Sequence, residues 1–244
     1  MIFSIENDEG LIQEGTENIK SAVFYFYSNL YTKESENEVY QDELLSKIII
    51  NLTSEEKTEL DRPIMNEEIK KSLDNIKMGK TPGSDGLTKE VYSYFWEDFG
   101  DLFNDMVAEI FQRGDLTPSQ KKGIIKISYK KNGRQFVKNY RPITLLNTDL
   151  KLITKTLAKR LANFLSNIIH ESQKCIPGRQ ITENIHLVQD LIDVIIREDW
   201  NAAYIMLDQE KAFDRISHKF MLKTLEKFCL GKISLNGLRL YIKM

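Results

Sequence analysis

Apolar residues recur at helical spacing over 16–32, where Ile19, Val23, Phe26 and Leu30 share a face. A polar, acidic stretch over 33–42 reads as a loop. A second helix is expected over 66–77, with Asn66 as its cap and Ile69, Leu73 and Ile76 as its stripe. The turn residues of Gly79-Lys80-Thr81-Pro82-Gly83-Ser84-Asp85-Gly86 stop it. One long helix should then run to about Arg113, closed by Gly114. β-branched residues over 123–129 predict a strand, and Lys130 to Arg134 a turn beyond it. Residues 150–169 give the clearest helix, with Ile153, Leu157, Leu161, Phe164 and Ile168 on one face. Another helix is predicted over 182–198. Ala203 to Leu207 is an uncharged apolar run that reads as a buried strand ending at Asp208. The last helix expected is 217–229, opened by Ser217.

Composition narrows the possibilities. With 41% hydrophobic and 10% aromatic residues, the chain has the makings of a packed core and is not a disordered tract. Two cysteines, Cys175 and Cys229, cannot build a disulfide framework, and only three histidines are on hand to complete a zinc site. They read as reduced thiols of an intracellular protein. No apolar run approaches the roughly 20 residues of a membrane span, and the acidic N-terminus is not a secretory signal. The net charge of −2 hides an asymmetry. Residues 1–78 carry 8 Lys and Arg against 17 Asp and Glu, whereas 119–160 carries 12 bases and one acid, Asp149. Such one-sidedness suits a surface that meets phosphates, and it is also compatible with a solvated basic face.

Three places carry candidate chemistry. Gly79-Lys80-Thr81 resembles half of a nucleotide P-loop, but position 74 is Asp where that motif needs Gly, and a helix precedes the loop where a strand is required. Asp208 stands at the end of an apolar run and is followed by Gln209-Glu210-Lys211-Ala212-Phe213-Asp214. A carboxylate so placed is a good ligand for a hard divalent cation. Spacing alone is equally met by a strand end at Asp208 and a helix cap at Asp214. In Tyr140-Arg141-Pro142-Ile143 the residue before proline is extended, and its guanidinium fork can grip phosphate oxygens or simply face solvent.

Taken in order, these segments resemble the reverse transcriptase region of non-long-terminal-repeat retrotransposons of the long interspersed element type. Gly79 to Gly86 with Leu87-Thr88-Lys89-Glu90 resembles the opening of that family's fingers. Asn139 to Asn147, then Lys151 and Lys159-Arg160-Leu161, resemble its next blocks. Ile176-Pro177-Gly178-Arg179 resembles the loop before the palm, and Leu207-Asp208 through Asp214 the first catalytic palm motif. The resemblance covers about residues 16–244. It departs from the family at Ser172-Gln173-Lys174-Cys175, which lacks a Gly-Phe pair, and at Lys130-Lys131-Asn132-Gly133, which lacks a proline. No segment resembles the Gly/Gln-rich second palm motif or the Asp-Asp turn. Asp190 and Asp193 lie on a predicted helix and do not replace that turn.

The resemblance implies a right-hand polymerase of α/β (α+β) class, with helix-rich fingers and the first part of a palm sheet, truncated after the first catalytic motif. Expected boundaries are an N-terminal helical extension over 1–60, fingers over 61–199 and the start of the palm over 200–244. The implied activity is RNA-directed DNA synthesis by two-metal nucleotidyl transfer. A non-catalytic nucleic-acid-binding remnant is the alternative. Asp208 would bind two Mg²⁺ ions, with the backbone carbonyl of Gln209 as a further ligand. Arg141, helped by Lys130, would hold the incoming triphosphate. Phe213 would lie under the sugar and exclude a 2′-hydroxyl. Lys121, Lys122, Lys126, Lys151 and Arg179 would contact nucleic acid. The implied partners are an RNA template, a DNA primer and deoxynucleoside triphosphates, with no membrane, no disulfides and a location in cytoplasm and nucleus. An unpaired strand at 203–208 would promote self-association, and proteolysis would trim the C-terminal side first.

Overall fold

The computed structural model describes residues 2–7, 9–32 and 37–242. A short antiparallel hairpin, β1 (Ser4–Glu6) and β2 (Ile12–Glu14), leads into α1 (Thr16–Leu30). α1 forms where its stripe predicts: Ile19, Val23, Phe26 and Leu30 pack on a small core of Ile5, Tyr27, Val137 and Tyr140. Next comes α2 (Glu38–Ser46), where a loop was expected. Its signal is local: the Asn37 side chain accepts from the Tyr40 N–H at 3.3 Å, capping the first turn. Residues 33–36 of that expected loop lie outside the described residues.

The helix α3 (Ser54–Leu60) is too short to show a period, but a capping box marks its start. The Thr53 hydroxyl accepts from the Glu56 N–H, and the Glu56 carboxylate accepts from the Thr53 N–H. α4 (Asn66–Asp74) ends three residues before the expected 77; Ile69 and Leu73 of the expected stripe are buried, Ile76 packs partly buried just beyond it, and Asn66 is not the cap. The Glu68 carboxylate takes the Met65 N–H at 3.1 Å, and Asn66 instead joins Trp96 and Asp101. The expected long helix divides at Phe95 into α5 (Lys89–Tyr94) and α6 (Trp96–Arg113). Tyr92, Trp96, Phe99 and Phe103 form edge and tilted ring contacts across the break, so the apolar pattern runs through it unmarked. Gly114, at φ 67°, ends α6 as predicted.

The hairpin β3 (Ile124–Tyr129) and β4 (Tyr140–Leu145) follows. The clearest predicted helix is interrupted at Asn163-Phe164, giving α7 (Thr148–Ala162) and α8 (Leu165–Ile168). Then come α9 (Thr182–Arg197), α10 (His218–Lys227), capped by Ser217 as expected, and an unexpected α11 (Lys232–Ile242). The main core joins α4, α6, α7 and α11 through Ile69, Leu73, Phe103, Val107, Leu152, Ile153 and Leu240. A second cluster of Leu52, Leu60, Ile168, Leu230 and Leu235 seals its side. The result is a helix-rich α+β chain with two separate two-stranded antiparallel sheets among the described residues.

One expectation holds and one fails between 181 and 216. α9 forms, but none of its residues is buried. Ala203 to Leu207 is neither a strand nor buried; Leu207 is 92% exposed. A strand is stabilised by its neighbour, and no described strand lies beside this one. Toward the C-terminus, Leu235 and Leu240 of α11 are core residues. The loosely packed stretch is internal.

Candidate nucleic-acid interface

The β3–β4 hairpin has two unlike faces. In its register Tyr129 pairs with Tyr140, Ser128 with Arg141, Ile127 with Pro142 and Lys126 with Ile143. Directly opposed residues in an antiparallel pair point to the same side. One side, with Ile127, Tyr129 and Tyr140, faces α1. The Tyr27 hydroxyl donates to the Tyr140 carbonyl at 3.1 Å, and the Tyr129 and Tyr140 rings meet edge to face. The Tyr140 hydroxyl donates to the Arg134 carbonyl at 2.7 Å, and the Arg134 guanidinium lies over the Tyr129 ring. These contacts fix the turn, where Asn132 takes a φ of 70°.

The other side carries Lys126 and Ser128 on β3 with Arg141 and Ile143 on β4. The Lys130 N–H continues the ladder to the Asn139 carbonyl at 2.9 Å, which brings Lys130 onto the same side. Lys126, Lys130 and Arg141 are all exposed. Between 116 and 148 the chain has eight bases and no acid. The result is a two-stranded ribbon clamped on one face and cationic on the other.

The rest of the basic stretch is employed differently. On α7, Lys151, Lys155 and Lys159 stand one turn apart and donate to the carbonyls of Thr81 (3.3 Å), Asn75 (2.8 Å) and Lys71 (2.9 Å). Two of these acceptors lie at the C-terminal end of α4, where cations are favoured. Burial pushes the Lys159 ammonium below its ordinary pKa. Arg160 is buried and grips the Glu68 carboxylate with Nε and Nη2, and the Arg62 and Pro63 carbonyls with its remaining donors. Lys121 pairs with Asp115 at 2.7 Å. The charge run seen in the sequence is therefore two populations, one facing solvent on the hairpin and one tying helices together.

The loop after α4 is seated rather than free. A Cβ on Gly83 would stand 2.2 Å from Asn147 Oδ1 and 2.4 Å from its backbone nitrogen. The Thr148 hydroxyl donates to the Leu87 carbonyl at 2.6 Å. Arg179 is likewise engaged: its guanidinium donates to the carbonyls of Ser166, Ile169, His170 and Gln173, closing the turn after α8.

Asp208, Gln209 and Phe213 lie in the exposed segment after α9, and Phe213 is fully exposed. The segment touches α1 farther on. The Tyr31 hydroxyl donates to Asp214 Oδ1 at 3.1 Å, and Lys211 Nζ lies 4.2 Å from the Phe26 ring centre. Burial, with the Asp214 charge, pushes the Tyr27 and Tyr31 hydroxyls up to about 12. The sequence offered no signal for these tyrosines, because their partners lie more than a hundred residues away.

Residues 128–243, which include Arg141 and Asp208, match the model of the reverse transcriptase (RNA-dependent DNA polymerase) family. Over these residues the chain is similar to the reverse transcriptase family. It is 33% identical over 225 residues to the "Transposon TX1 uncharacterized 149 kDa protein" of Xenopus laevis, an alignment covering 92% of this chain and 17% of that protein. It is 25% identical over 178 residues to the "Probable RNA-directed DNA polymerase from transposon BS" of Drosophila melanogaster, covering 68% of this chain and 19% of that protein. The chain thus spans less than a fifth of either relative. The matches support a partial reverse transcriptase domain of a retrotransposon, as its ordered motifs lead one to expect.

Reverse transcriptase domains work on a nucleic-acid template with deoxynucleoside triphosphates and generally use divalent metal ions. The described residues do not fit a metal by themselves. No group of three His, Cys, Asp or Glu side chains among them converges on one point, and Asp208 is a single exposed carboxylate. No chemical step through a metal is therefore assigned to them. Both cysteines are free thiols, and among the described residues no helix is long and apolar enough to cross a membrane.

Proposed function

We propose that this domain supplies the triphosphate- and template-facing surface of an RNA-directed DNA polymerase of right-hand architecture, with fingers over 61–199 and the palm beginning at 200. The observation that carries the reading is the cationic face of the β3–β4 hairpin, where Lys126 and Arg141 share a side by register and Lys130 follows at the end of the ladder, in a stretch with no acid between 116 and 148. A planar guanidinium flanked by two ammonium groups suits a polyphosphate, because the fork fixes oxygen geometry and the lysines add charge. Arg141 and Lys130 then hold the triphosphate, while Lys122 and Lys126, with Lys121 at the edge, meet the nucleic-acid backbone.

In the same reading Asp208 and the Gln209 carbonyl are this chain's contribution to a Mg²⁺ site that its described residues do not complete. Phe213 acts on the sugar: a ring there leaves no room for a 2′-hydroxyl, which favours deoxynucleotides. Lys151 and Arg179 donate to loop carbonyls, so their part in the same reading is to hold those loops. The lone carboxylate favours a second reading, in which this stretch binds nucleic acid without chemistry of its own.

Photo-crosslinking with an azido-deoxynucleoside triphosphate in the presence of primed RNA tests the proposal. Adducts are expected on the β3–β4 hairpin and should vanish in Arg141→Gln. Adducts spread over α2, α3 and α6 with none on the hairpin would overturn it.

A further inference from the structure

The residues on either side of Phe213 are anchored on α1, and Phe213 is not. Asp214 accepts from the Tyr31 hydroxyl, and Lys211 lies over the Phe26 ring. Between them the N–H groups of Asp214 and Arg215 both donate to the Lys211 carbonyl, at 2.8 and 3.0 Å. Lys211 has a φ of 51° in this turn. A side chain in that left-handed region is sterically unfavourable, so such a turn persists only where its surroundings hold it. The surroundings here are Tyr31 and Phe26. Tyr31 in turn stacks on Tyr27 with ring centres 6.0 Å apart, and Tyr27 bonds the carbonyl of Tyr140, the residue before Arg141. One helix therefore touches both the cationic hairpin and the turn after Asp208.

We propose that Tyr31 and Phe26 are positioning residues: they fix the 211–215 turn so that Phe213 projects freely, on the same helix that seats the Arg141 hairpin. This rests on the reading of Phe213 as the sugar-facing ring and Arg141 as the triphosphate residue. Tyr31 and Phe26 act on neither ligand directly. They set where the two groups stand relative to α1.

Amide hydrogen exchange on the 1–244 chain tests the inference. Tyr31→Phe should speed exchange at Asp214 and Arg215 by roughly three- to tenfold, the range for losing one partly exposed charge-assisted hydrogen bond. Asp214→Ala should do the same, and the double variant should add nothing further. Asp214→Asn keeps an oxygen acceptor for the Tyr31 hydroxyl, so protection should survive, which a general loosening of the fold would not allow. Amides within α7 should be unchanged in every variant. Wild-type exchange rates in Tyr31→Phe, or loss of protection in Asp214→Asn equal to that in Asp214→Ala, would overturn the bracket. Binding of primed RNA is measured on the same samples and should be unaffected by Tyr31→Phe. If the wild type does not bind, the hairpin reading fails whatever the exchange data show.

Discussion

Replacing Lys122, Lys126, Lys130 and Arg141 together by Gln removes four exposed charges at and beside the hairpin's cationic face, leaving Lys131, Arg134 and Lys138 around its turn, without touching a described ion pair. Each phosphate contact contributes about 0.7 to 0.9 to the slope of log affinity against log salt. Four contacts should therefore flatten that slope by roughly 3. Between ~50 and ~200 mM salt, a slope of 3 is about a 60-fold change, so wild type should lose roughly 60-fold more affinity than the variant over this range. Fluorescence anisotropy with a labelled primed RNA at four salt concentrations measures both slopes. A companion variant, Lys151→Gln with Lys155→Gln and Lys159→Gln, removes as much formal charge less one. Its lysines donate to the carbonyls of Thr81, Asn75 and Lys71, so it should lower the melting temperature and leave the slope nearly unchanged. Equal slopes in wild type and the hairpin variant, or a larger slope change in the α7 variant, would refute the division of the basic stretch.

Five further outcomes are expected. Arg160→Ala takes from the part-buried Glu68 carboxylate its main partner, leaving only Arg62 at 3.5 Å and the Met65 N–H, and should cost about 1–3 kcal/mol and lower the melting temperature by roughly 2–12 °C; Lys should not rescue it, because one ammonium cannot reach the carboxylate and both carbonyls. The Arg160 guanidinium holds the Glu68 carboxyl below its ordinary range, so this stabilisation is present above the unfolded carboxylate pKa and is lost as pH falls through the lower folded one; chemical denaturation of wild type and Arg160→Ala should converge in acid. Gly83→Ala forces the loop off Asn147 and should destabilise the chain by more than 1 kcal/mol, read as a shift in the urea midpoint. Limited trypsin digestion should cut first between Arg197 and Arg215, not in α11, and a polypeptide of residues 1–244 with one metal carboxylate should not extend a primer with Mg²⁺; extension that disappears in Asp208→Ala would show that a second carboxylate has been overlooked.

What was legible in the sequence is what local chemistry determines. The periodic stripe of α1, the Ser217 cap, the Gly114 stop and the β-branched run of the 123–129 strand are all written in a few neighbouring residues, and all are found. The capping signals at Asn37 and Thr53 were also local, but the short helices they open have no period to announce them. The breaks at Phe95 and Asn163 were hidden because apolar residues continue on one face across each. The strand at 203–207 was misread for another reason: its composition is right, but pairing depends on a neighbour that composition does not reveal. The site divides in the same way. Arg141 and Lys126 were readable as bases in an extended segment, and their shared face follows from the register. That Lys151 and Arg179 would be spent on carbonyls depends on which loops fold beneath them, which no spacing specifies.

The place of α11 in the main core has a consequence for the order of events during synthesis. Leu240 belongs to the same buried cluster as Leu73 and Ile153, residues made long before it. At ~5–20 residues per second, the ribosome needs on the order of ten seconds to pass from the end of α7 to α11. During that time α4, α6 and α7 can meet one another, but the surface awaiting α11 stays open. A nascent chain paused in this interval is therefore a client for chaperones that recognise apolar helix faces, and rare codons between 163 and 232 would lengthen its exposure more than rare codons placed earlier.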